Sequence, residues 1–268
     1  MMNRNAVRAI AARDLATVRR NLGVLVPMLI VPVALVAMLS LATFLAARTT
    51  MDLGPLTGLL DLTGSADGGT EHSPGVRLAI ALATYVGPPL LIIVSLLTAS
   101  VMATDSVAGE RERGTIEGLL LTPVSDRDIL MGKLVGALVP ALVLGLASQL
   151  VYAAVAVAAI APVTGSPPLP TLPWAMTVLW FGPAFTTAAL GLTVFVSARA
   201  RTVQAAHQVS GVGVIPLVAL VVGQATGLFL LYWWVGLLLG ALFWAAAYAM
   251  VRMGGRVLQR ENQIATLV

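Results

Sequence analysis

The chain has 268 residues, of which 58% are hydrophobic and only 10% are charged, and its mean hydropathy is +0.93. Soluble domains average about 25% charged residues, so this composition excludes a water-soluble fold and predicts an integral membrane protein. The absence of cysteine excludes disulfides and thiolate metal sites. The formal net charge of +4 does not indicate nucleic-acid binding, because the basic residues stand beside apolar runs.

Residues 1–21 are predicted to form an amphipathic interfacial helix on the cytoplasmic membrane surface. The arginines of this segment mostly lie opposite a set of apolar residues that fall near one helical face, namely Val7, Ile10, Ala11, Leu15 and Val18. The apolar run that follows is longer than the stretch of about 7–15 residues in a cleaved signal peptide. We therefore interpret that run as a retained membrane span.

Six apolar runs are long enough to cross a bilayer, which requires about 20 helical residues. The last two runs form one charge-free stretch, which we divide at residues 223–227 because a single helix of that length would overshoot the membrane about twofold. The predicted fold is an all-α integral membrane protein in which one transmembrane permease domain, residues 1–268, contains six spans, namely residues 22–46, 78–102, 129–161, 174–196, 208–225 and 228–251.

The distribution of basic residues predicts the orientation of the spans. Of the 16 Lys and Arg residues, only Arg48 and Arg77 fall in loops on one side, and the others flank the opposite ends of the spans. The positive-inside rule places this basic side in the cytoplasm, together with both termini and the tail of residues 252–268. Two termini on one side require an even number of spans, which six satisfies.

A charged segment, residues 109–133, lies between the second and third predicted spans. Thr115 is a candidate N-cap of a short helix that ends at Pro123. This helix has an apolar stripe at helical spacing, formed by Ile116, Leu119 and Leu120. The segment therefore has one apolar and one charged face, which suits a surface helix that docks on something else.

The start of the third span and the charge balance of the segment refine this interpretation. Ser125 and Asp128 have the spacing of a capping box, with Asp in place of the usual Glu or Gln. Acidic residues outnumber basic residues between Asp105 and Lys133, and an acidic surface is repelled by anionic lipid. This balance favours docking on a protein, while a helix resting on lipid headgroups is the alternative.

These residues resemble the signature of type-2 ATP-binding-cassette (ABC) permeases, in particular the sodium- and drug-exporter-like members. The matching positions are Glu110-Arg111-Glu112-Arg113-Gly114-Thr115-Ile116-Glu117, Leu119-Leu120, Thr122-Pro123-Val124-Ser125 and Gly132-Lys133. Two shorter stretches, residues 197–202 and 259–261, are similar to the family in the loop after the fourth span and in the tail.

The resemblance implies that residues 103–128 form a coupling region whose helix contacts a separate ABC ATPase subunit. The positions that carry over to this contact are Glu110, Arg111, Glu112, Gly114, Thr115, Ile116, Glu117, Leu119, Leu120 and Pro123. It also implies that ATP and Mg bind the partner subunit, with no cofactor on this chain. A second permease copy, as a homodimer in a two-plus-two complex, and a multi-pass location among the lipids of a prokaryotic plasma membrane follow from the same resemblance.

Glycines and prolines within the spans have two open interpretations. They serve as hinges for alternating access, or they reflect ordinary packing, since both residues are frequent in membrane helices. The candidate hinges are Gly87, Pro88, Pro89 and Pro216. Two further pairs, Gly132-x-x-x-Gly136 and Gly236-x-x-x-Gly240, allow close helix contact without indicating the partner helix.

The residues that are missing also constrain function. The spans contain no deep ionisable residue of the kind that ion-coupled carriers use. The sequence also has no nucleotide-binding phosphate loop, catalytic triad or metal-ligand cluster. The predicted function is the permease subunit of an ATP-driven ABC exporter, coupled through residues 109–125 and not itself an enzyme. An ion- or proton-coupled carrier is the alternative. No substrate-binding residue is indicated, although the uncharged spans favour hydrophobic or amphipathic cargo.

Overall fold

The computed structural model describes residues 3–49, 72–106, 124–197, 215, 218–219 and 233–257. All regular secondary structure within these ranges is helical, which confirms the predicted all-α class. In chain order the elements are α1 (Arg4–Arg20), α2 (Leu22–Arg48), α3 (Pro74–Ala81), π1 (Leu82–Val86), α4 (Gly87–Thr104), α5 (Asp126–Thr164), α6 (Leu172–Ala175), π2 (Met176–Phe181), α7 (Gly182–Ser197) and α8 (Trp233–Val257).

Four helical stretches of this described part are long and apolar enough to cross a membrane, and they correspond to the first four predicted spans. They are Met28–Arg48, Pro74–Thr104, Asp128–Thr164 and Leu172–Val194. A shorter apolar helix, Gly236–Met250, falls within the predicted sixth span. The predicted fifth span, residues 208–225, lies outside the described residues except for positions 215, 218 and 219. The protein is therefore a multi-pass helical membrane protein.

Asparagine caps separate the N-terminal helix from the first span. The side-chain oxygen of Asn3 accepts hydrogen bonds from the backbone N–H groups of Asn5 and Ala6, at 3.2 and 3.3 Å. Asn21 has an extended backbone, and its side chain accepts from Gly23 N at 3.1 Å. Each cap satisfies N–H groups that have no partner within the helix. The chain consequently turns at Asn21, and α1 is not a simple extension of α2.

The second and fourth spans share one local feature. A π-helical segment precedes Gly87-Pro88-Pro89 in the second span and Gly182-Pro183 in the fourth. A proline provides no N–H to the carbonyl four residues earlier, and its ring collides with that carbonyl. For Pro88 and Pro183 those carbonyls belong to Thr84 and Leu179, which lie inside the wider π turns. Each span therefore continues through its proline without ending.

Helix α5 is much longer than a membrane span requires. Its 39 residues correspond to about 58 Å at a rise of 1.5 Å per residue, against a hydrocarbon core of about 30 Å. Ser125 caps its start, and Gly165, with a φ of 74°, ends it in the left-handed conformation. A helix of this length extends beyond the hydrocarbon core at one end at least.

Two kinds of surface distinguish the inside of the bundle from the lipid-facing side. A core beside the connection between the second and third spans joins α1, α4, α5 and α7, with buried members Val18, Ala99, Met102, Ala103, Leu130, Leu134, Ala137, Ala141, Leu190 and Val194. By contrast, α2 exposes many large apolar side chains, including Val26, Ile30, Val33, Met38 and Leu41. Exposure of so much apolar surface to water is unfavourable, whereas lipid tails solvate it.

Candidate functional site

The predicted coupling residues, from Glu110 to Pro123, lie outside the described residues, and so does the candidate hinge Pro216. The structure does describe the two ends between which the segment must run. One is the end of the second span at Asp105 and Ser106, and the other is the start of the third span at Val124 and Ser125. We call these two ends, together with the part of α1 that packs on them, the junction.

Ser125 and Asp128 form the predicted cap, but the Asp128 side chain bonds to a different group from the one that the Glu of a capping box reaches. The backbone N–H of Asp128 donates to Ser125 Oγ at 3.2 Å, as a capping box requires. The Asp128 carboxylate is one methylene shorter than Glu, and the bond that it makes within the cap comes from the hydroxyl, with Ser125 Oγ donating to its Oδ2 at 2.8 Å. Its other oxygen, Oδ1, accepts from the backbone N–H of Asn3 at 3.2 Å. The Asp128 carboxylate therefore links Asn3, the residue directly before α1, to the start of α5.

Helix α1 packs directly on the second and third turns of α5, through two glycines. A Cβ on Gly132 would lie 2.8 Å from Ile10 Cβ, and a Cβ on Gly136 would lie 3.2 Å from Ala11 Cα. Both distances are shorter than the 3.5–4.0 Å of comfortable carbon–carbon contact. The predicted close contact at Gly132-x-x-x-Gly136 is thus confirmed, and its partner is α1 of the same chain.

The buried face of α1 differs in one position from the predicted face. Val7, Ile10 and Val18 of the predicted apolar face are buried, and Asp14, which was not predicted there, is buried with them at 8% exposure. The spacing from Ile10 to Asp14 to Val18 is four residues each time, which keeps one side of a helix in contact. Leu15, at 38% exposure, lies outside this packed side.

Lys133 connects the two ends of the coupling segment. Its side chain is 3% exposed, and its ammonium donates to the backbone carbonyl of Ser106 at the end of the second span. Burial of an ammonium is costly unless polar groups surround it, and Asp14 and Asp105 line the same small cavity of about 30 Å³. Asp14 also pairs with Arg13 at 3.3 Å. A buried lysine contact therefore links the second and third spans beside a cavity that two carboxylates line.

The candidate hinges of the second span are buried packing positions in the structure. Gly87, Pro88 and Pro89 are all buried. A Cβ on Gly87 would fall on the ring of Tyr152, so this glycine allows the two helices to approach closely. Tyr152 in turn shares a hydrogen bond of 2.9 Å with Thr43. These contacts explain the glycine through packing, and a hinge role for these residues stays a prediction.

The second glycine pair is only half used. A Cβ on Gly240 would fall on the indole of Trp180, whose Nε1 donates to Leu237 O at 3.2 Å. Nothing lies within 4 Å of a Cβ built on Gly236. The close approach of α8 to the fourth span therefore depends on Gly240.

No group of three His, Cys, Asp or Glu side chains suited to a metal ion occurs among the described residues.

Sequence reasoning missed most members of the junction. Asn3 and Asp128 are 125 residues apart, and nothing local to either predicts their bond. Lys133 is part of the matched motif, but a lysine at a span entrance usually predicts a solvated or lipid-facing ammonium. The one usable signal was the glycine spacing, which predicts a close helix neighbour although it does not identify α1.

Fold and junction together define a class of protein, the multi-pass helical membrane protein whose second and third spans are joined at their adjacent ends by side-chain contacts. The family model described as "ABC-2 family transporter protein" matches residues 8–232, which is most of the chain. The chain therefore belongs to the ABC-2 family of transporter proteins and is an ABC transporter permease, as the resemblance in residues 109–133 predicted.

One curated relative supports this assignment over a short stretch. The chain is 48% identical over 46 residues to a protein of Bacillus subtilis (strain 168) named "ABC transporter permease protein NatB". The match covers 17% of this chain and 12% of that relative. So small a share leaves the activity and assembly of the relative outside what the match establishes.

Proposed function

We propose that this chain is the membrane-spanning subunit of an ATP-driven ABC exporter, coupled through residues 109–125 to a separate ATPase. Membership of the ABC-2 family supports an ABC ATPase as the general kind of partner. The observation that carries the proposal is the hydrogen bond from Lys133 to Ser106 O. This bond links the second span to the third span, and the proposed docking segment connects these two spans. ATP and Mg would bind the partner subunit.

The junction suits the transmission of movement better than its absorption. A force on the segment acts at Ser106 and Ser125, which are the ends of the second and third spans. The core beside these ends packs α1, α4, α5 and α7 together, and such close-packed interiors transmit strain. Movement of the ATPase would therefore displace the inner ends of these helices as one unit and open or close a path beside them.

We further propose six spans, cytoplasmic termini and two permease copies with two ATPases. Helix α2 starts at the basic α1 and ends at Arg48, whose guanidinium lies 4.1 Å from the centre of the Phe44 ring. Near the C-terminal end of α8, Arg252 lies 4.4 Å from the ring centre of Tyr248. Arginine over an aromatic ring is a favourable pair where a helix leaves the membrane, which fits a position of each arginine at a membrane surface.

The first experiment tests the docking segment by charge reversal. We expect the double variant Glu110→Lys/Glu112→Lys to lose co-purification with an ABC ATPase co-expressed from the same organism. The matched control is Glu71→Lys in the loop proposed to lie outside, which should retain the ATPase. If the double variant retains the ATPase and stimulates its hydrolysis as the unaltered chain does, residues 109–125 are not the docking segment.

The second experiment tests the assembly and the energy source. Native mass spectrometry of the co-purified complex should give two permease copies and two ATPase copies. Reconstituted vesicles should hydrolyse ATP faster with the permease than with the ATPase alone. A permease that never associates with an ATPase, but responds to an imposed proton gradient, would instead indicate an ion-coupled carrier.

A further inference from the structure

The N-terminal helix α1 has a basic surface beside the first span. All the arginines of α1 are exposed, whereas its single acidic residue, Asp14, is buried and pairs with Arg13. Arg19 and Arg20 lie in the last turn of α1, directly before the turn at Asn21, and neither forms an ion pair with another described residue. An exposed pair of cations therefore stands where the chain enters α2.

The packing of α1 places this arginine pair at the edge of the hydrocarbon core. Val18, the residue before Arg19, is buried in one cluster with Met102 and Val194. Met102 lies close to the end of the second candidate span, and Val194 ends the fourth. The 27 residues of α2 correspond to about 40 Å, which matches the roughly 40–45 Å of a bilayer with its headgroups. Arg19 and Arg20 consequently lie at the depth of the lipid phosphates.

A stripe of exposed apolar side chains on α2 begins directly after Asn21. Its members recur at the spacing of one helix face, and all are exposed, namely Leu22, Val26, Leu29 and Val33. The stripe is about 16 Å long at 1.5 Å per residue, and the acyl chains of one leaflet fill about 15 Å, half of the hydrocarbon core. Arg20 lies within about 7 Å of the start of the stripe along the chain. Cations at phosphate depth thus adjoin an apolar surface one leaflet deep.

A lipid suits this surface better than a second copy of the chain does. Copies in a membrane share one orientation, so residues at the same depth meet in a two-fold symmetric contact. Arg19 and Arg20 would then face their own equivalents, and like charges opposed in this way are unfavourable. A lipid phosphate instead accepts hydrogen bonds from the guanidinium groups, which arginine can make in parallel pairs. Charge complementarity therefore favours an anionic lipid.

We propose that Arg19, Arg20 and the apolar stripe of α2 form a binding site for an anionic phospholipid. The phosphate binds the two guanidinium groups, and one acyl chain lies along the stripe. Phosphatidylcholine also has a phosphate, but its choline cation is repelled by the same arginines, whereas phosphatidylglycerol has no such cation. The site is independent of the proposed coupling function, because lipid binding here requires no ATPase and is possible in either leaflet.

The test measures which lipid lies beside α2 in the purified full-length chain. The chain has no cysteine, so Leu29→Cys accepts a bimane fluorophore on the stripe, and lipids with brominated acyl chains quench it on contact. Vesicles of phosphatidylcholine receive rising fractions of brominated phosphatidylglycerol, and the converse series uses brominated phosphatidylcholine. We expect a preference of about 30-fold for phosphatidylglycerol, because each arginine contributes about 1 kcal/mol towards anionic lipid and 1.4 kcal/mol is tenfold.

Three double variants assign this preference to the arginine pair. Arg19→Gln/Arg20→Gln should remove the preference, and Arg19→Lys/Arg20→Lys should keep most of it, because the charges remain although the paired hydrogen bonds are lost. The matched control Arg4→Gln/Arg8→Gln removes the same charge from the other end of α1. These positions are at least about 16 Å along the helix from Arg19, beyond a Debye length of about 8–10 Å. The control should therefore retain the preference.

Four results would overturn the proposal. Equal quenching by the two brominated lipids would show a general lipid contact without a headgroup site. No quenching by either lipid would show that protein, such as a second copy, covers this face of α2. A preference that survives Arg19→Gln/Arg20→Gln would place the anionic lipid elsewhere, and an equal loss in the control would assign it to the total charge of α1. Because no ATPase is present, none of these results bears on the proposed coupling through residues 109–125.

Discussion

The packing of α1 on α5 gives the most direct test of the junction, through Gly132→Ala. The added methyl group would lie 2.8 Å from Ile10 Cβ and 3.3 Å from Val7 O. Overpacking of this kind costs about 1–3 kcal/mol, partly offset by the roughly 1 kcal/mol by which Ala exceeds Gly in helix propensity. Gly236→Ala is the matched control, because nothing lies within 4 Å of its new methyl group. The two variants should therefore differ by about 1–3 kcal/mol in stability.

The assay reads the docking of α1 itself. The chain has no cysteine, so Val7→Cys provides a single thiol on the buried face of α1, where Val7 is 7% exposed. A cost of about 1–3 kcal/mol corresponds to a roughly 5- to 150-fold larger undocked population. In Gly132→Ala the rate of maleimide labelling should rise by a factor in this range, and in Gly236→Ala it should not change. Equal labelling rates and equal melting temperatures in the two variants would refute the packing interpretation.

Four further substitutions test other parts of the junction and bundle. Ser125→Ala removes the cap of the third span and should lower stability by about 1 kcal/mol in thermal unfolding. Lys133→Met should keep the proposed ATPase bound but reduce its stimulated hydrolysis several-fold, because the tie to the second span is lost; unchanged hydrolysis would contradict this. Gly87→Ala places a methyl group on the ring of Tyr152 and should cost about 1–3 kcal/mol, whereas Tyr152→Phe removes only the bond to Thr43, worth about 0.6 kcal/mol in membranes.

The helices were predictable because their signals are local. Apolar runs located the first four spans. Ser125, which the sequence predicted as a cap, directly precedes Asp126, the first residue of α5. The start of the second span was placed at Leu78, whereas the helix begins at Pro74. Hydropathy does not register the helix-starting role of a proline at the first position. Errors of this size are therefore confined to helix ends.

The junction was less predictable because its contacts join distant parts of the chain. The bond between Asn3 and Asp128 spans 125 residues, and the glycine at 132 indicates how closely a helix approaches but not which helix. The buried Asp14 was missed because a charged residue on an apolar face contradicts the pattern that locates the face. Its burial is explained by two basic residues: Arg13, with which it pairs, and Lys133, which lines the same cavity.

Pro140 lies in α5 between the junction and Gln149, and it is a better hinge candidate than Gly87. It has no N–H for the carbonyl of Gly136, the residue on which Ala11 packs. Gln149, which bonds to Pro88 O of the second span, lies on the other side of this missing bond. Pro140→Ala restores the bond and, on helix propensity alone, stabilises by up to about 3 kcal/mol. If α5 flexes there during coupling, the variant should melt higher while stimulated ATP hydrolysis falls. A rise in both would show that α5 moves as one rigid rod, and that the signal from residues 109–125 passes along α5 without a hinge.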